Sequence, residues 1–381
     1  MASSVALVAK ELGRVGLDRV LPDSRTLPDR GPAITTACLE RVTAQAPGSI
    51  RSVRVLDEHH GTAGRVRLAI DTAPDVDLPD TLFVKLTPRN VIQRMMMSAF
   101  ALGSREVLFY SSIAGDAPVR TPRCYGAELD ARRGRNLMVL EDLSDTATFR
   151  DIREPASAEE AAAVIDALGD LHASFWASPR LGGDLAPLRS RSAAAEQLGN
   201  VFVGRVLGNL KGRSADAVPL DMQRQSRIVF EQKEGIDAFW ADEPQTLLHG
   251  DTHFGNLFFE AGAPGFLDWQ ATMIGPSIRD VSYFLGASVD PTVLEPIERG
   301  LVDHYVHRLA SHGVDTDPER MWDLYRASAA DFYVAAVVTA GTADRMQPPE
   351  ISQTGVDRTV AAMQRLGTFD LLERIVAGDK I

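Results

Sequence analysis

The sequence predicts an α+β protein of two lobes, a small β-rich lobe over residues 1–143 and a larger, mostly helical lobe over residues 144–381. Three observations lead there. Short runs that alternate apolar and polar residues, the mark of half-buried strands, concentrate before Leu143. Segments of helical length dominate after Ser144. A single β-like interruption, Leu247 to Trp269, sits inside the helical half. A chain of 381 residues is long enough for two or three units, or for one large two-lobed one.

The elements follow in order. A helical extension is expected at the N-terminus, and Thr36 to Ala46 reads as a short helix. Ser52 to Glu58 and Arg65 to Asp71 alternate around the turn His59-His60-Gly61-Thr62-Ala63-Gly64, a strand–turn–strand pattern. Thr81 to Leu86 is a third strand. Val91 to Ala114 has helical length and an apolar face rich in Met and Phe. Arg123 to Leu129 and Asn136 to Leu140 read as two more strands around a charged turn.

The texture changes between Glu141 and Asp145. Ser157 with Glu160 three residues on forms a capping box, which opens an Ala-rich helix to about Trp176, stopped near Pro179. Further helices are expected over Ser192 to Leu210, Asp221 to Trp240, Pro291 to His312 and Pro318 to Gly341, and one strand pair within Leu247 to Trp269.

Apolar residues at 45% and charged residues at 24% are close to globular averages and exclude a disordered or collagen-like chain. A net charge of −12 argues against general nucleic-acid binding, which needs a basic footprint. The longest stretch free of Asp, Glu, Lys and Arg is Phe332 to Ala343, twelve residues, short of the roughly 20 that span a membrane. The apolar run Val5 to Ala9 meets Lys10 and Glu11 at once, so no secretory signal is expected. Cys38 and Cys124 form no CxxC pair and fit a reducing compartment, so the protein is expected to be cytoplasmic. The acidity is one-sided: 19 basic and 17 acidic residues up to Leu143, then 21 and 35. An acidic half suits a cationic substrate or metal, and equally an ordinary solvated surface.

The chemistry concentrates in His249-Gly250-Asp251-Thr252-His253-Phe254-Gly255-Asn256, led in by Leu247-Leu248 and out by Leu257-Phe258-Phe259. Asp268 follows, after Phe266-Leu267 and before Trp269. Polar residues between apolar runs suggest a loop whose ends are held by buried strands, presenting Asp251, Asn256 and Asp268 together. Two carboxylates and one amide suit Mg²⁺-assisted phosphoryl transfer. Mg²⁺ takes few protein oxygens and completes its shell with phosphate and water, while a separate carboxylate orients the attacking hydroxyl.

His-Gly-Asp-x-His-x-x-Asn followed by Leu-Asp-Trp resembles the catalytic loop and metal-binding motif of the aminoglycoside phosphotransferase and choline kinase-like superfamily, whose fold is similar to that of protein kinases. The Asp251 to Asn256 spacing equals that of the kinase His-Arg-Asp-x-x-x-x-Asn loop. Gly275 to Leu285 resembles the family's continuation, with Asp280 in a loop-bracing role. The resemblance covers about Arg51 to Leu285. It implies a two-lobed protein-kinase-like fold with the nucleotide on the first lobe and the acceptor pocket on the second. It further implies Lys85 on the third strand paired with Glu106 on the following helix to anchor nucleotide phosphates, and Asn256 and Asp268 as Mg²⁺ ligands. Asp251 would be the catalytic base. Glu141 and Leu143, after the strand Leu137 to Leu140, would be the hinge whose backbone meets the adenine edge.

The turn between the first strands departs from the pattern. It holds only Gly61 and Gly64, without the Ser-Asn pair common in the superfamily, so Gly61, Thr62 and Gly64 would cradle phosphate through backbone N–H groups up to Arg65. Ordinary roles stay open for the other residues: Lys85 as a snorkelling surface side chain, Glu106 as a helix-surface charge, His249 and His253 as loop braces. The aromatic stretch Trp322, Tyr325, Phe332 and Tyr333 reads as core, or as an acceptor-pocket lining. The expected activity is ATP- and Mg²⁺-dependent phosphorylation of a hydroxyl on a small molecule. The alternative is a non-catalytic nucleotide-binding or scaffold protein of the same fold, which the sparse glycine turn favours and the intact Asp251, Asn256 and Asp268 oppose. Trp269-Gln270, and Arg105-Glu106 before Phe109-Tyr110, look closer to the ecdysteroid-kinase-like branch. That branch implies an apolar or bulky alcohol, whereas the acidic second half suits a cationic one.

Overall fold

Period-two alternation builds the first lobe. The computed structural model describes residues 2–20, 26–60, 63–150, 153–189, 193–210, 213–341, 349–379 and 381. Helix α1 (Ala2–Val20) and the short α2 (Thr36–Val42) precede five strands: β1 (Ile50–His60), β2 (Gly64–Thr72), β3 (Thr81–Leu86), β4 (Cys124–Asp130) and β5 (Arg135–Glu141). They form one antiparallel sheet of order β1-β2-β3-β5-β4. Alternation sorts its two faces. Val66, Leu68, Leu82, Val84, Leu86, Leu137 and Val139 bury one face with Leu27, Ile34 and Leu39. The intervening Met138 and Leu140 join the other core, on the face turned toward the second lobe.

The expected helix from Val91 to Ala114 is two: α3 (Val91–Ala99) and α4 (Leu102–Ser112). Ala101 between them is left-handed at φ 57°. The break re-aims α4 so that Gly103 meets β5, where a Cβ would lie 2.4 Å from Asn136 Oδ1. On α1, Asp18 is buried and its carboxylate accepts from Arg94 at 2.5 Å and Arg135 at 2.8 Å, tying the N-terminal helix to α3 and β5.

The second lobe opens with β6 (Thr148–Phe149) and α5 (Ala158–Ser174), whose capping box forms as expected: Ser157 Oγ accepts the Glu160 N–H at 3.1 Å and the Glu160 carboxylate accepts the Ser157 N–H at 2.9 Å. Then come α6 (Ala193–Leu207), α7 (Arg213–Ala217), α8 (Leu220–Gln225), α9 (Ile228–Glu231) and α10 (Lys233–Asp242). The helix expected over Asp221 to Trp240 is thus broken into pieces, the first break at Ser226, whose hydroxyl bonds back to the Gln223 carbonyl. The interruption in the helical half holds more than one strand pair. β7 (Gln245–Leu248) pairs with β10 (Met273–Pro276), and β8 (Leu257–Glu260) pairs with β9 (Ala263–Phe266) and with β6. α11 (Ile278–Ser288), α12 (Pro291–Leu294), α13 (Glu298–Ser311), α14 (Pro318–Gly341), α15 (Pro349–Leu366) and α16 (Thr368–Ala377) complete the lobe. Pro296 splits the helix expected over Pro291 to His312, because it has no N–H to donate. Tyr325, Phe332 and Tyr333 are buried in the core. Among the described residues no helix is long and apolar enough to cross a membrane.

Candidate active site

Two strand pairs hold one loop. β7 ends at Leu248 and β8 begins at Leu257, so the polar segment 249–256 is anchored by buried residues at both ends. Inside it, Gly250 is left-handed at φ 83°, and a Cβ there would lie 2.4 Å from the Ala271 carbonyl, so only glycine fits. His249 is fully buried. Its Nε2–H donates to the Leu267 carbonyl at 2.7 Å and its Nδ1 accepts the Asp251 N–H at 3.2 Å, a pattern that needs the neutral ring. Burial agrees, pushing the imidazole below its ordinary value. The Asp280 carboxylate accepts the N–H groups of His249 at 2.7 Å and Gly250 at 2.9 Å. Burial alone would raise the Asp280 carboxyl, yet His172 and the Gly250 N–H hold it low.

Asp251 is aimed by Asn256. Asn256 Nδ2 gives one hydrogen bond to the Asp251 carbonyl and one to its Oδ2, both at 2.8 Å. The Tyr283 phenol lies beside the same carboxylate, and burial raises it well above its ordinary value, so it stays protonated. His253 Nε2 stands 3.7 Å from Asp251 Oδ1. Its amide nitrogen is engaged, so the Asn256 side-chain oxygen is the atom that could take a cation. The Leu267 N–H donates to the Asn256 carbonyl at 2.8 Å and thereby brings Asp268 alongside.

Asp268 joins the lobes. It is left-handed at φ 59°, an uncommon state for a non-glycine residue. Lys85 Nζ donates to Asp268 Oδ1 at 2.9 Å and to Glu106 Oε1 at 2.5 Å, and Arg65 donates to Asp268 Oδ2 at 3.2 Å. Burial would raise the Asp268 carboxyl, but Lys85 and Arg65 hold it below its usual value. Burial would lower the Lys85 ammonium, but Asp268 and Glu106 raise it, so it stays charged. Glu106 is completely buried and its Oε2 has no partner; burial outweighs Lys85 and pushes this carboxyl up to about 7. Trp269 stacks on Phe109 of α4 with ring centroids 3.7 Å apart and planes 7° apart, so the helix that carries Glu106 packs directly against the turn that carries Asp268.

The expected nucleotide contacts sort unevenly. Gly61 and Thr62 lie outside the described residues. Gly64 opens β2 against Leu86, where a Cβ would lie 2.4 Å from Leu86 Cδ1. The Glu141 side chain is held at 2.9 Å by Arg120, which also grips Glu260 of β8 at 2.8 Å, and the Glu141 N–H donates to the Arg123 carbonyl. Neither group is therefore available to a nucleotide. The Leu143 carbonyl closes the following turn by accepting from Thr146 and Ala147. Leu143, Leu140, Phe83, Leu267, Tyr110 and Phe149 line an apolar cleft that ends at Lys85, Asn256 and Asp268.

Sequence patterns alone do not single out the side chains of Arg65, Tyr283 and Arg120. Arg65 carries a usable signal: it alternates with the buried Val66 and Leu68, so it belongs on the same face as the cleft. Tyr283 and Arg120 carry none, because their partners are far away in the chain.

Among the described residues no three His, Cys, Asp or Glu side chains converge as a metal cluster. One amide oxygen and one carboxylate instead form a sparse, hard donor set of the kind a phosphate-bound Mg²⁺ uses.

Residues 79–337 match the model of the phosphotransferase enzyme family. A provisionally assigned aminoglycoside phosphotransferase of Ralstonia eutropha superposes with a TM-score of 0.53 at 15% identity, covering 87% of this chain and 97% of that one. The GDP and kanamycin complex of APH(2″)-IIIa superposes at 0.53 and 11% identity over 91% and 99%. An ethanolamine kinase of Plasmodium vivax superposes at 0.52 and 11% identity over 84% and 83%. These likenesses establish the protein-kinase-like, two-lobed fold. No curated protein matches the chain.

Proposed function

Because this chain belongs to the phosphotransferase enzyme family, we propose that it transfers the terminal phosphoryl group of ATP, with Mg²⁺, to a hydroxyl of a small molecule. The lobe over residues 1–143 holds the nucleotide in this reading, and residues 144–381 carry the catalytic loop and the acceptor. The observation that supports it best is the bridge of Lys85 between Glu106 and Asp268, in the cleft that Asn256 also lines. A buried, charged lysine shared by two carboxylates at the end of an open apolar cleft suits the binding of an anionic ligand.

The roles follow from chemistry. The apolar walls around Phe83, Leu140 and Leu267 take the base, and backbone of the hinge near Leu143 its polar edge. Lys85, kept charged, meets the phosphates, with Glu106 fixing its direction. The Asn256 oxygen and the Asp268 carboxylate hold Mg²⁺, which supplies charge neutralisation of the polyphosphate. Asp251, its carboxylate aimed by Asn256, orients the acceptor hydroxyl and takes its proton. The transition state is loose, so positioning and charge placement carry most of the acceleration.

The test is Asp251→Asn. Turnover should fall by about 10²-fold or more, in line with the loss of a positioned base. The rise in melting temperature with MgATP should persist, since binding to the folded state adds about 2.7 kcal/mol at a hundredfold excess over Kd. Unchanged turnover with any accepted alcohol would sink the assignment. Failure of the wild type to respond to MgATP would instead favour the scaffold alternative.

A further inference from the structure

Arg65 stands where a phosphate chain would need a second cation. It is the second residue of β2 and faces Lys85 in the register of β2 with β3. Alternation puts it on the cleft side, opposite the buried Val66. The two cations grip the same carboxylate from different depths: Lys85 holds Asp268 Oδ1 with its side chain 5% exposed, and Arg65 holds Oδ2 with its side chain 46% exposed. Arg65 is thus the outer cation, at the mouth of the cleft.

Its neighbours are already engaged. Arg67, two residues on, donates to Asp142 at 2.9 Å. Arg120 is clamped between Glu141 and Glu260. Among the cleft-lining residues, Lys85 and Arg65 are the basic ones, and Lys85 already serves two carboxylates. The adjoining turn carries two glycines, Gly61 and Gly64, against the three of a G-x-G-x-x-G phosphate loop. A guanidinium has the planar fork that pairs with phosphate oxygens two at a time.

Resting on the kinase reading above, we propose that Arg65 is a phosphate-binding residue of this site. It exchanges its contact with Asp268 for the nucleotide's terminal phosphates. Without nucleotide, the same guanidinium neutralises the Asp268 carboxylate. Mg²⁺ bound at Asp268 would match that carboxylate's charge and leave the Arg65 guanidinium to the phosphates. Arg65 thereby sets the preference for a triphosphate over a nucleoside.

Calorimetric titration of the wild type, Arg65→Gln and Arg65→Lys with adenosine, MgADP and MgATP tests this. The expected result is an adenosine affinity within about twofold of wild type in both variants. MgATP affinity should fall about 10- to 100-fold in Arg65→Gln, the range for a charge-assisted contact, and less in Arg65→Lys. Unliganded melting within a few degrees of wild type shows that the variants are folded. Wild-type MgATP affinity in Arg65→Gln overturns the proposal, as does an equal loss for adenosine and MgATP, which would make Arg65 a wall of the cleft. Absence of MgATP binding by the wild type overturns the kinase reading itself and is distinguishable from both.

Discussion

Asp280 accepts the backbone N–H of His249 at 2.7 Å, so the loop that carries Asp251 is held from below by a residue in the first turn of α11. The grip is double, because Gly250 donates to the other carboxylate oxygen. A neutral amide has one acceptor oxygen and would set its NH₂ against one of these donors. Asp280→Asn should therefore destabilise the fold by about 2–4 kcal/mol, the scale of leaving a buried donor without a charged partner. The sign with pH follows from the depressed carboxyl. Its stabilisation is complete above the unfolded carboxyl range, near pH 4, and is lost as pH falls through the lower folded value. Chemical denaturation between pH 2 and 7 checks this: the deficit of the variant should shrink at the acid end.

Asp268→Asn separates backbone from charge. Asn tolerates the left-handed region at least as well as Asp, so the turn at φ 59° should survive. The carboxylate shared by Lys85 and Arg65 is lost. The expected outcome is a folded protein whose MgATP-induced rise in melting temperature is abolished or strongly reduced. A full wild-type response would remove Asp268 from the proposed metal site.

Glu106→Gln should report a titration near neutrality. The folded carboxyl is raised to about 7, so its contribution to stability is fully present below the unfolded value near 4.5 and is lost as pH rises through 7. Gln lacks that titration. The variant should melt below wild type at pH 5, and the gap should narrow by pH 8. A gap independent of pH would mean that Glu106 stays ionised beside Lys85 throughout.

Trp269→Ala removes a buried ring that stacks on Phe109. Large-to-small replacement of a core aromatic costs about 3–5 kcal/mol. Trp269→Phe keeps an aromatic face and should recover much of that loss. Because this stack joins α4 to the Asp268 turn, Trp269→Phe should also weaken MgATP binding more than adenosine binding, which titration of both ligands would measure.

Local patterns are legible in the amino-acid sequence. The loop from His249 to Asn256 and the nearby Asp268 lie within twenty residues, and flanking apolar runs announce the buried strands that hold them. Lys85 falls on β3 because Thr81–Leu86 is a single apolar strand, and Glu106 falls on a helix because its segment has helical length. Helix breaks are less legible. The left-handed turn at Ala101 exists so that Gly103 can approach Asn136, a contact with no trace in the local composition.

What the chain determined by itself is therefore the set of strands, the order of the two lobes and the short-range grouping of Asp251, Asn256 and Asp268, because alternation, capping and turn chemistry act over a few residues. Only the tertiary structure decided which charges meet. Lys85 and Arg65 reach Asp268 across 183 and 203 residues, Arg120 bridges Glu141 to Glu260, and Tyr283 reaches Asp251 from α11. An ion pair is selected by the closing of two surfaces that exclude water between them. Until the lobes pack, each of these side chains is an ordinary solvated charge or polar group with no preferred partner.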